Sequence, residues 1–446
     1  MRRSVTIGAA LAALVVSGTM ALPATVAGAQ PPTTLYVSPS ANTHINNDHH
    51  NCATAGYATI QSAVNAAPDG SKIVVCSGTY HASLLIPATK TGLDIVGDTG
   101  SKLSPTRPAA AVTDVAPSSV GGVAPIVAIV RVAPGATGTT ISGLEINGAG
   151  IESAVNGCDN DLAGLYWSAT RGHNASGSAS DLDVVNTTPT NSGCGAGMGI
   201  YVDAATGGTA RVTLHQNTVS GYGKNGITCS NIGVSCTISA NTITSSPTAD
   251  VAQNGVQVGF GATGTVNENY VSGNDWTAYG TDANPEVQSD FASGVLLYAA
   301  GVNSAGAANT SIAVSGNTFV GNQIGVEVVD SEADVAANSI TERANAALPD
   351  SIGVFGVGCD AYCGYFEDHP GGAALNTVAS TTQAITVFHN TVNFSSTPAG
   401  SYGIWLGDNS WTGNASYYAP AGHEVPSVSQ NTISNVATPE TIAGGA

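Results

Sequence analysis

The sequence predicts an all-β protein: a single-stranded right-handed parallel β-helix, which is a solenoid of short strands, with a short capping helix near its N-terminus. The first observation behind this prediction is a short glycine and aliphatic phrase that recurs along the chain, each time followed by a phrase that contains asparagine. The second is the composition, since 55 of the 446 residues are glycine and only 9% are charged. A helical protein of this length carries far more Glu and Lys on its surface.

The chain begins with the features of an export signal. Arg2 and Arg3 precede an apolar stretch over residues 7–16, and the small residues at 27–29 form a cleavage site. The apolar stretch is shorter than the ~20 residues that a membrane-spanning helix needs. The sequence therefore predicts a signal peptide over 1–29, a secreted, extracellular protein, and a β-helix domain over 30–446 with coils over about 59–436.

The charge of the chain excludes some partners. The formal net charge is −19, and loss of Arg2 and Arg3 with the signal makes it −21. Nucleic acids need a basic face, so we expect no nucleic-acid partner, and no later segment is predicted to span a membrane. A polyanionic glycan would be repelled unless a cation such as calcium bridged it, whereas a neutral glycan meets no such barrier. Calcium is thus the one cofactor that the sequence leaves open, and we expect a monomer.

Eight cysteines favour disulfide bonds, because an even number in an exported chain indicates a disulfide framework. Pairing of sequence neighbours predicts the bonds Cys52–Cys76, Cys158–Cys194, Cys229–Cys236 and Cys359–Cys363. A zinc site is the weaker interpretation, since the last two cysteines have no second Cys pair nearby.

The recurring phrase has two halves, and each half is a short strand signal. The first half begins at Gly199, Gly226, Gly255, Gly294, Gly325, Gly353 and Gly403. The second half contains Asn217, Asn241, Asn269, Asn317, Asn338, Asn390 and Asn431. These asparagines are 24, 28, 48, 21, 52 and 41 residues apart, so the shortest spacings define a bare coil and the longer ones coils with inserted loops. A unit of this length cannot bury its own apolar face and must stack on its copies.

The asparagines are predicted to be structural and not catalytic. A tight bend between strands needs a left-handed residue, and Asn tolerates that conformation best after Gly. Stacked coils also let Asn side chains hydrogen-bond along the stack. Near the start, Ile60, Ala63, Val64 and Ala67 have helical spacing, which predicts the capping helix over the open first coil.

The segment Thr59–Val64, with Pro68-Asp69-Gly70, Ile73-Val74-Val75 and Gly78-Thr79-Tyr80, resembles the opening of secreted right-handed β-helix proteins of the pectate lyase-like superfamily. The repeats extend the resemblance over most of residues 59–436. It implies the fold and, by analogy, a polysaccharide ligand that lies along one face. The motifs of the superfamily's galacturonan hydrolases and the arrangement of its pectin methylesterases do not occur here, so the resemblance specifies no reaction.

One outward face is the predicted binding surface. The residue two positions after each repeated Gly should point outward, which gives the column Tyr201, Thr228, Gln257, Leu296, Glu327, Phe355 and Trp405. Within this column Tyr201, Gln257, Phe355 and Trp405 are candidate glycan-binding residues. The long insertions over 272–293, 357–383 and 406–426 add Trp276 and Trp411 as candidates. The face is either an open groove or a surface covered by those loops, and both interpretations stay open.

The catalytic candidates are Glu327, Asp203 and Lys224. Glu327 belongs to this column, Asp203 lies at the far end of the strand that begins at Gly199, and Lys224 precedes the strand that begins at Gly226. Hydrolysis of a glycosidic bond usually needs two facing carboxyl groups, and a superfamily lyase uses a basic residue near calcium-binding aspartates. Asp282, Glu286 and Asp290 would supply a calcium site or merely solvate their loop. The sequence therefore leaves open a polysaccharide lyase or hydrolase, a non-catalytic glycan-binding protein and a cell-surface structural solenoid.

Overall fold

The computed structural model describes residues 31–40, 51–109, 125–204, 207–245, 251–275, 291–301, 310–329, 331–342, 351–357, 383–395, 401–406 and 424–442. The chain is a right-handed parallel β-helix, as the sequence predicts, and three all-parallel sheets run along the solenoid. Its strands are numbered β1 to β34 along the chain. The described residues also contain the helix α1 (Ile60–Ala66) and 3-10 turns over Cys52–Thr54, Glu152–Ala154 and Ser192–Cys194.

Each coil contributes one strand to each sheet, except that β1 is followed by α1 and has no counterpart in the other two sheets. The first sheet contains β1 (Thr34–Val37), β2 (Lys72–Val75), β5 (Asp94–Gly97), β8 (Thr139–Ser142), β11 (Ala175–Ser180), β14 (Ala210–His215), β17 (Val234–Ser239), β20 (Thr263–Asn267), β23 (Ile312–Ser315), β26 (Ala333–Ala336), β29 (Gln383–Phe388) and β32 (Glu424–Ser429). The second sheet contains β4 (Leu84–Ile86), β7 (Ile126–Val132), β10 (Asp161–Ala169), β13 (Met198–Ala204), β16 (Asn225–Ser230), β19 (Asn254–Gly259), β22 (Ser293–Tyr298), β25 (Ile324–Val329), β28 (Ile352–Val357), β31 (Tyr402–Leu406) and β34 (Thr438–Ile442). The third sheet contains β3 (Gly78–Tyr80), β6 (Ser101–Leu103), β9 (Glu145–Asn147), β12 (Asp183–Thr187), β15 (Thr218–Tyr222), β18 (Thr242–Thr244), β21 (Tyr270–Ser272), β24 (Thr318–Val320), β27 (Ser339–Thr341), β30 (Thr391–Asn393) and β33 (Thr432–Ser434).

The helix α1 covers the N-terminal end of the solenoid. Its buried residues Ile60, Ala63 and Val64 join the core, and the Thr59 side chain accepts a hydrogen bond from the Ser62 N–H at its N-terminus. The Gln61 side chain makes two hydrogen bonds with the backbone of Leu85, at 2.8 and 2.9 Å. Because β4 is the edge strand of the second sheet, these bonds satisfy backbone groups that would otherwise be free to pair with another chain.

The repeated asparagines form a buried ladder at the corner between the first and third sheets. In the middle of the ladder, the Asn269 side chain donates to Asn317 Oδ1 at 3.0 Å, and Asn317 donates in turn to Asn338 Oδ1 at 3.0 Å. The same Oδ1 atoms also accept the backbone N–H of the preceding asparagine, at 2.9 Å each. The prediction of a structural role is therefore confirmed.

The left-handed conformation expected for these asparagines lies instead on the residue before each one. Positive φ angles occur at Gln216, Ala240, Glu268, Gly316, Ala337, His389 and Gln430. The prediction was wrong by one position, because the residue that bends the chain is not the residue that makes the hydrogen bonds of the ladder. The preceding residue turns the chain, and the asparagine then faces inward along the corner.

The repeated glycines are required for packing inside the solenoid. The pairing of β13 with β16 aligns Met198 with Asn225 and Ile200 with Ile227, and the glycines between them, Gly199 and Gly226, occupy equivalent positions on the two strands. A Cβ atom on Gly226 would lie 2.5 Å from Ile243 Cγ2 and 2.6 Å from the Gly255 carbonyl oxygen. Glycine is needed here because a side chain would collide with the core and the next coil.

Three of the predicted disulfides are present: Cys52–Cys76, Cys158–Cys194 and Cys229–Cys236. The fourth, Cys359–Cys363, lies outside the described residues, as does the signal peptide. No helix among the described residues has the length and apolar character needed to cross a membrane.

Candidate functional site

The outward column predicted from the glycine phrase exists in the predicted register. Adjacent strands of the second sheet align Tyr201, Thr228, Gln257, Leu296, Glu327, Phe355 and Trp405 in that order. The column continues toward the N-terminus through Tyr166, Arg131 and Leu85. Equivalent side chains therefore line one face over most of the solenoid.

This face is buried along most of its length. The exposed fraction is 0% for Tyr201, 3% for Gln257, 7% for Glu327, 2% for Phe355 and 3% for Trp405. The column is thus a covered face and not an open groove at these residues. The candidates Trp276 and Trp411 lie outside the described residues.

A buried polar cluster surrounds Asp203 on this face, and we call it the Asp203 cluster; it consists of Tyr166, Ser168, Tyr201, Asp203, Ser230 and Asn231. Asp203 follows the core residue Val202, so its side chain points outward, and its neighbours across the sheet are Ser168 and Ser230. Asn231 Nδ2 donates to Asp203 Oδ1 at 2.7 Å, and the Tyr166 hydroxyl lies 3.5 Å from Oδ2. The carboxyl group is therefore bound by Asn231 and lies beside the hydroxyl-bearing residues Tyr166, Ser168 and Ser230.

Several of these hydroxyl groups are buried without a good hydrogen bond. Among the described residues, the hydroxyls of Ser168, Tyr201, Thr228 and Ser230 make no hydrogen bond of good geometry, although Ser168 interacts with the Tyr166 phenol and Ser230 with the Tyr201 phenol. The Tyr166 and Tyr201 rings stack with centroids 5.3 Å apart, which holds the two phenols side by side. A buried hydroxyl without a good hydrogen bond costs about 1–3 kcal/mol, so a concentration of them on three adjacent strands requires a reason.

Burial keeps both phenols of this cluster protonated. It is the main cause that raises the pKa of Tyr166 and of Tyr201 well above the ordinary tyrosine value, and the charge of Asp203 adds to the rise in both cases. The hydroxyls of Ser168 and Ser230 lower the pKa of Tyr166 and Tyr201 respectively, with a smaller effect. The two tyrosines therefore serve as hydrogen-bond donors, not as bases, at neutral pH.

The column opens to solvent at its N-terminal end. Leu85 is 41% exposed, the adjacent Arg131 is half-buried, and Tyr166 beyond it is fully buried. The Nε atom of Arg131 is itself buried and has no hydrogen-bond partner among the described residues. A guanidinium group with an unsatisfied Nε donor thus lies between the solvent-exposed Leu85 and the Asp203 cluster.

A second buried acid, Asp161, lies at the start of β10. Its Oδ1 atom accepts a hydrogen bond from the Gly197 N–H at 2.7 Å. Burial raises the pKa of Asp161 to about 7, against the opposing effect of the backbone N–H groups of Gly197 and Leu162. The Cys158–Cys194 disulfide joins the segments that lead into β10 and β13, so it fixes the two strands that carry most of the cluster.

Glu327 belongs to a different polar network. Asn254 Nδ2 donates to Asn225 Oδ1 at 3.1 Å, and Asn225 Nδ2 donates to Gln257 Oε1 at 2.9 Å. Ser293 connects this network to Glu327, since its N–H donates to Asn254 at 3.3 Å and its hydroxyl donates to the Glu327 carboxylate. Glu327 thus completes a buried network that ties neighbouring strands together.

Beyond Glu327 the face becomes aromatic. Phe355 lies 5.9 Å from Trp405 and 6.1 Å from Phe291, measured between ring centroids, and Tyr402 lies 4.4 Å from Trp405. We call Phe291, Phe355, Tyr402 and Trp405 the aromatic cluster. Its members pack against one another in edge and tilted contacts, so these rings are engaged with each other.

The structure does not bring the three catalytic candidates together. Asp203 on β13 and Glu327 on β25 are four strand spacings apart, which is about 19 Å. Lys224 precedes β16, whereas Asp203 pairs with Ser230 at the other end of that strand, about 20 Å away along it. The Lys224 ammonium donates to the Ala252 carbonyl at 2.6 Å. A pair of carboxyl groups that cleaves a glycosidic bond is about 5–10 Å apart, so Asp203 and Glu327 are not such a pair.

The sequence identified Tyr201 and Asp203 but not Tyr166, Arg131 or Asn231. The signal for Tyr166 was present, because Gly164-Leu165-Tyr166-Trp167 repeats the glycine phrase one coil earlier. Arg131 has no such signal, since Ile129 stands where the glycine would be. Asn231 reaches Asp203 from a left-handed turn after β16, with φ of 80°, which no local pattern announces.

The described residues contain no group of three or more His, Cys, Asp or Glu side chains that would hold a metal ion. The predicted calcium ligands Asp282, Glu286 and Asp290 lie outside the described part of the chain.

No family model matches this chain, and no curated protein sequence matches it. Among solved structures, the native GH136 lacto-N-biosidase of Eubacterium ramulus is similar with a TM-score of 0.53 and 11% identity, over 92% of this chain and 67% of that chain. The Dettilon tailspike protein gives a TM-score of 0.41 at 14% identity, over 92% of this chain and 68% of that one. A periplasmic alginate epimerase gives 0.38 at 12% identity, over 82% and 78%. At such identities the likeness shows the fold alone, and the class of protein is a right-handed parallel β-helix protein.

Proposed function

We propose that this is an exported protein that binds and acts on a glycan at the outer face of the second sheet, with the Asp203 cluster as its centre. The observation that supports this most strongly is the concentration of polar groups around Asp203, where a carboxyl group, the Asn231 amide and two stacked phenols meet on three adjacent strands. Carboxylate, amide and phenol groups are what a sugar's hydroxyls need, because they supply both acceptors and donors. The three disulfides agree with an oxidising compartment. The similar lacto-N-biosidase is a further motive for choosing a glycan.

The test is a panel of neutral and acidic polysaccharides and oligosaccharides, with and without calcium, assayed for binding, reducing ends and unsaturated products. Reducing ends alone would indicate a hydrolase, unsaturated products a lyase, and binding without products a glycan-binding protein. Asp203→Asn should lose the response, while Asp334→Asn, an exposed acid on the first sheet, should keep it. A wild-type protein that neither binds nor cleaves any glycan in the panel would contradict the proposal.

A structural solenoid is the second candidate function, and the aromatic cluster favours it. Rings that stack on sugars must be accessible, yet Phe355 and Trp405 are buried and contact each other, and the Tyr166 and Tyr201 rings are buried as well. Trp405→Ala distinguishes the two functions, because it should lower stability under either one but should change glycan affinity only if the ring faces a ligand.

A further inference from the structure

We propose that the Cys158–Cys194 disulfide is a thiol-exchange site, which small thiols open and close while the solenoid around it stays folded. We call this bond the exposed disulfide and Cys229–Cys236 the core disulfide. The core disulfide is expected to stay closed until the protein unfolds. This property is independent of the proposed glycan site, since it concerns the chemistry of a bond and not a ligand on the second sheet.

The two disulfides differ in the access that a thiol has to their sulfur atoms. Cys158 and Cys194 are both exposed. Cys229 and Cys236, by contrast, are 0% and 1% exposed and belong to the hydrophobic core. Exchange begins when a thiolate reaches one of the two sulfur atoms, so exposed disulfides are the labile ones. The folded protein therefore presents one disulfide to a thiol in solution and shields the other.

Hydrogen bonds hold the two bridged segments together independently of the exposed disulfide. The Gly157 N–H donates to the Thr190 carbonyl at 2.6 Å, and the Thr190 hydroxyl donates to the Val155 carbonyl at 2.8 Å. Asn191 Nδ2 donates to Asn156 Oδ1 at 2.9 Å. None of these bonds uses a sulfur atom, so they remain when the disulfide opens. They keep the two thiols close together, which raises the effective concentration of one thiol around the other and favours closure.

Opening takes two exchange reactions, and both conserve atoms and electrons. A thiolate attacks the Sγ atom of one cysteine, a new S–S bond joins that cysteine to the small thiol, and the other cysteine leaves as a thiolate that takes a proton from water. A second thiolate then attacks the sulfur of the attached thiol and releases the first cysteine. The small thiol is oxidised to its own disulfide, and the protein accepts the two electrons. The reverse sequence, which starts from the oxidised small thiol, closes the bond.

The charge beside the exposed disulfide selects among thiols. Asp159 is exposed and follows Cys158 directly in a chain whose formal net charge is −19. Negative charge close to the sulfur atoms repels an approaching anion, and this repulsion is strongest at low ionic strength. Cysteamine, whose ammonium group offsets its thiolate, should therefore react faster than glutathione, after each rate is divided by the rate of the same thiol with a small uncharged disulfide.

Opening the exposed disulfide should loosen the protein only locally. The bridged segments lead into β10 and β13, and between these strands Asp161 Oδ1 accepts a hydrogen bond from the Gly197 N–H at 2.7 Å. Without the covalent link this hydrogen bond should break more often, because a segment with fewer constraints opens at a lower free energy. Hydrogen exchange should therefore rise in peptides that cover residues 190–197, while peptides from β17 keep their protection.

The main experiment treats the whole native protein with cysteamine or glutathione, stops the reaction with iodoacetamide, and locates the labels by peptide mass spectrometry. Because labels are assigned to individual residues, Cys359 and Cys363 are read separately from the rest. We expect the exposed disulfide to be labelled at least about a hundredfold faster than the core disulfide, because the latter opens only with its strands. Cys52–Cys76 should lie between them, since Cys52 is half-buried and Cys76 is 3% exposed. Oxidised glutathione, added after removal of the thiol, should restore the unlabelled state.

Three variants serve as controls for these measurements. The double variant Cys158→Ser with Cys194→Ser should keep the circular dichroism spectrum of the wild type and reproduce the hydrogen exchange of the reduced protein. At low ionic strength the corrected rate with cysteamine should exceed that with glutathione about threefold, and Asp159→Asn should narrow this ratio. Asp334→Asn removes an exposed acid of the first sheet and should leave the ratio unchanged.

Three results would overturn the inference. If all cysteines are labelled at one rate, or the exposed disulfide opens only as circular dichroism is lost, access requires unfolding. If the reduced pair stays open in oxidised glutathione, the bond is not a site of reversible exchange. Equal corrected rates for the two thiols, with no response to Asp159→Asn, would refute the selection by charge. None of these results depends on glycan binding, so this proposal and the proposed function fail separately.

Discussion

At the scale of single residues, the fold contains buried carboxyl groups that prefer to hold a proton. Burial raises the pKa of Asp161 to about 7 and raises the pKa of Glu342 well above its usual value. Burial is the main cause of the raised pKa of Glu342, and hydrogen bonds from Asn322 oppose it only in part. Each of these two acids contributes more to stability when it is protonated. The free energy of unfolding should therefore depend on pH through both groups.

The first prediction follows from Asp161. The folded protein keeps this proton at pH values where the unfolded chain, with a pKa near 3.8, has released it. The stability contribution of Asp161 therefore falls as the pH rises from about 4 to about 7, by up to about 4 kcal/mol. Asp161→Asn, which keeps an acceptor for the Gly197 N–H, should flatten that part of the curve in urea unfolding measured across this pH range. The exposed Asp98→Asn is the control, and an unchanged slope in Asp161→Asn would refute the assignment.

The second prediction concerns one rung of the asparagine ladder. Asn317→Ala removes the side chain that accepts from Asn269 and donates to Asn338 and to the Val266 carbonyl. It leaves buried partners unsatisfied, so the free energy of unfolding should fall by about 3 kcal/mol. Asn267→Ala, half-buried and with no side-chain hydrogen bond among the described residues, should cost under about 1 kcal/mol. Equal losses in chemical denaturation of the two variants would contradict the ladder's role.

At the scale of elements, the repeated glycine of each strand separates the two outward columns of the second sheet. The repeated glycine places both the residue before it and the residue two positions after it on the outer face, as the Asn225–Gln257 hydrogen bond shows. A side chain at the glycine would push into the third sheet. Each of these strands of the second sheet therefore requires a residue without a side chain at the repeated glycine.

The third prediction tests whether the repeated glycine is required because a side chain at its position would not fit. Gly226→Ala should lower the free energy of unfolding by about 3 kcal/mol, since its Cβ would lie 2.5 Å from Ile243 and 2.6 Å from the Gly255 carbonyl. Gly259→Ala is the comparison, because there the nearest atom would be 3.0 Å away, and the loss should be smaller. Thermal unfolding of both variants measures the difference, and a harmless Gly226→Ala would mean that the glycine serves another purpose.

The sequence predicted what depends on repetition and missed what depends on contact across coils. The fold, the outward column, the capping helix and three disulfides follow from periodic glycines, asparagines and neighbouring cysteines. The position of the left-handed residue did not follow, because a one-residue shift leaves the repeat unchanged. The grouping of Tyr166 and Asn231 with Asp203 did not follow either, since each comes from a different coil. The separation of Lys224 from Asp203 depends on strand length, which the pattern alone does not fix.

At the scale of the whole molecule, the second sheet presents a face with three zones in order. The exposed Leu85 and half-buried Arg131 come first, the Asp203 cluster and the Glu327 network follow, and the aromatic cluster closes the series. The strict stacking of coils aligns these zones, and the buried asparagine ladder holds the register on the opposite corner. The glycan proposal uses the first two zones, while the aromatic cluster contributes packing.

The most direct test of this account is a high-resolution crystal structure of the protein with the tightest-binding short neutral glycan from the panel. The account predicts that the glycan lies on the outer face of the second sheet and is hydrogen-bonded to Asp203. Electron density for ordered water alone at Asp203, with the glycan bound elsewhere or absent, would contradict it.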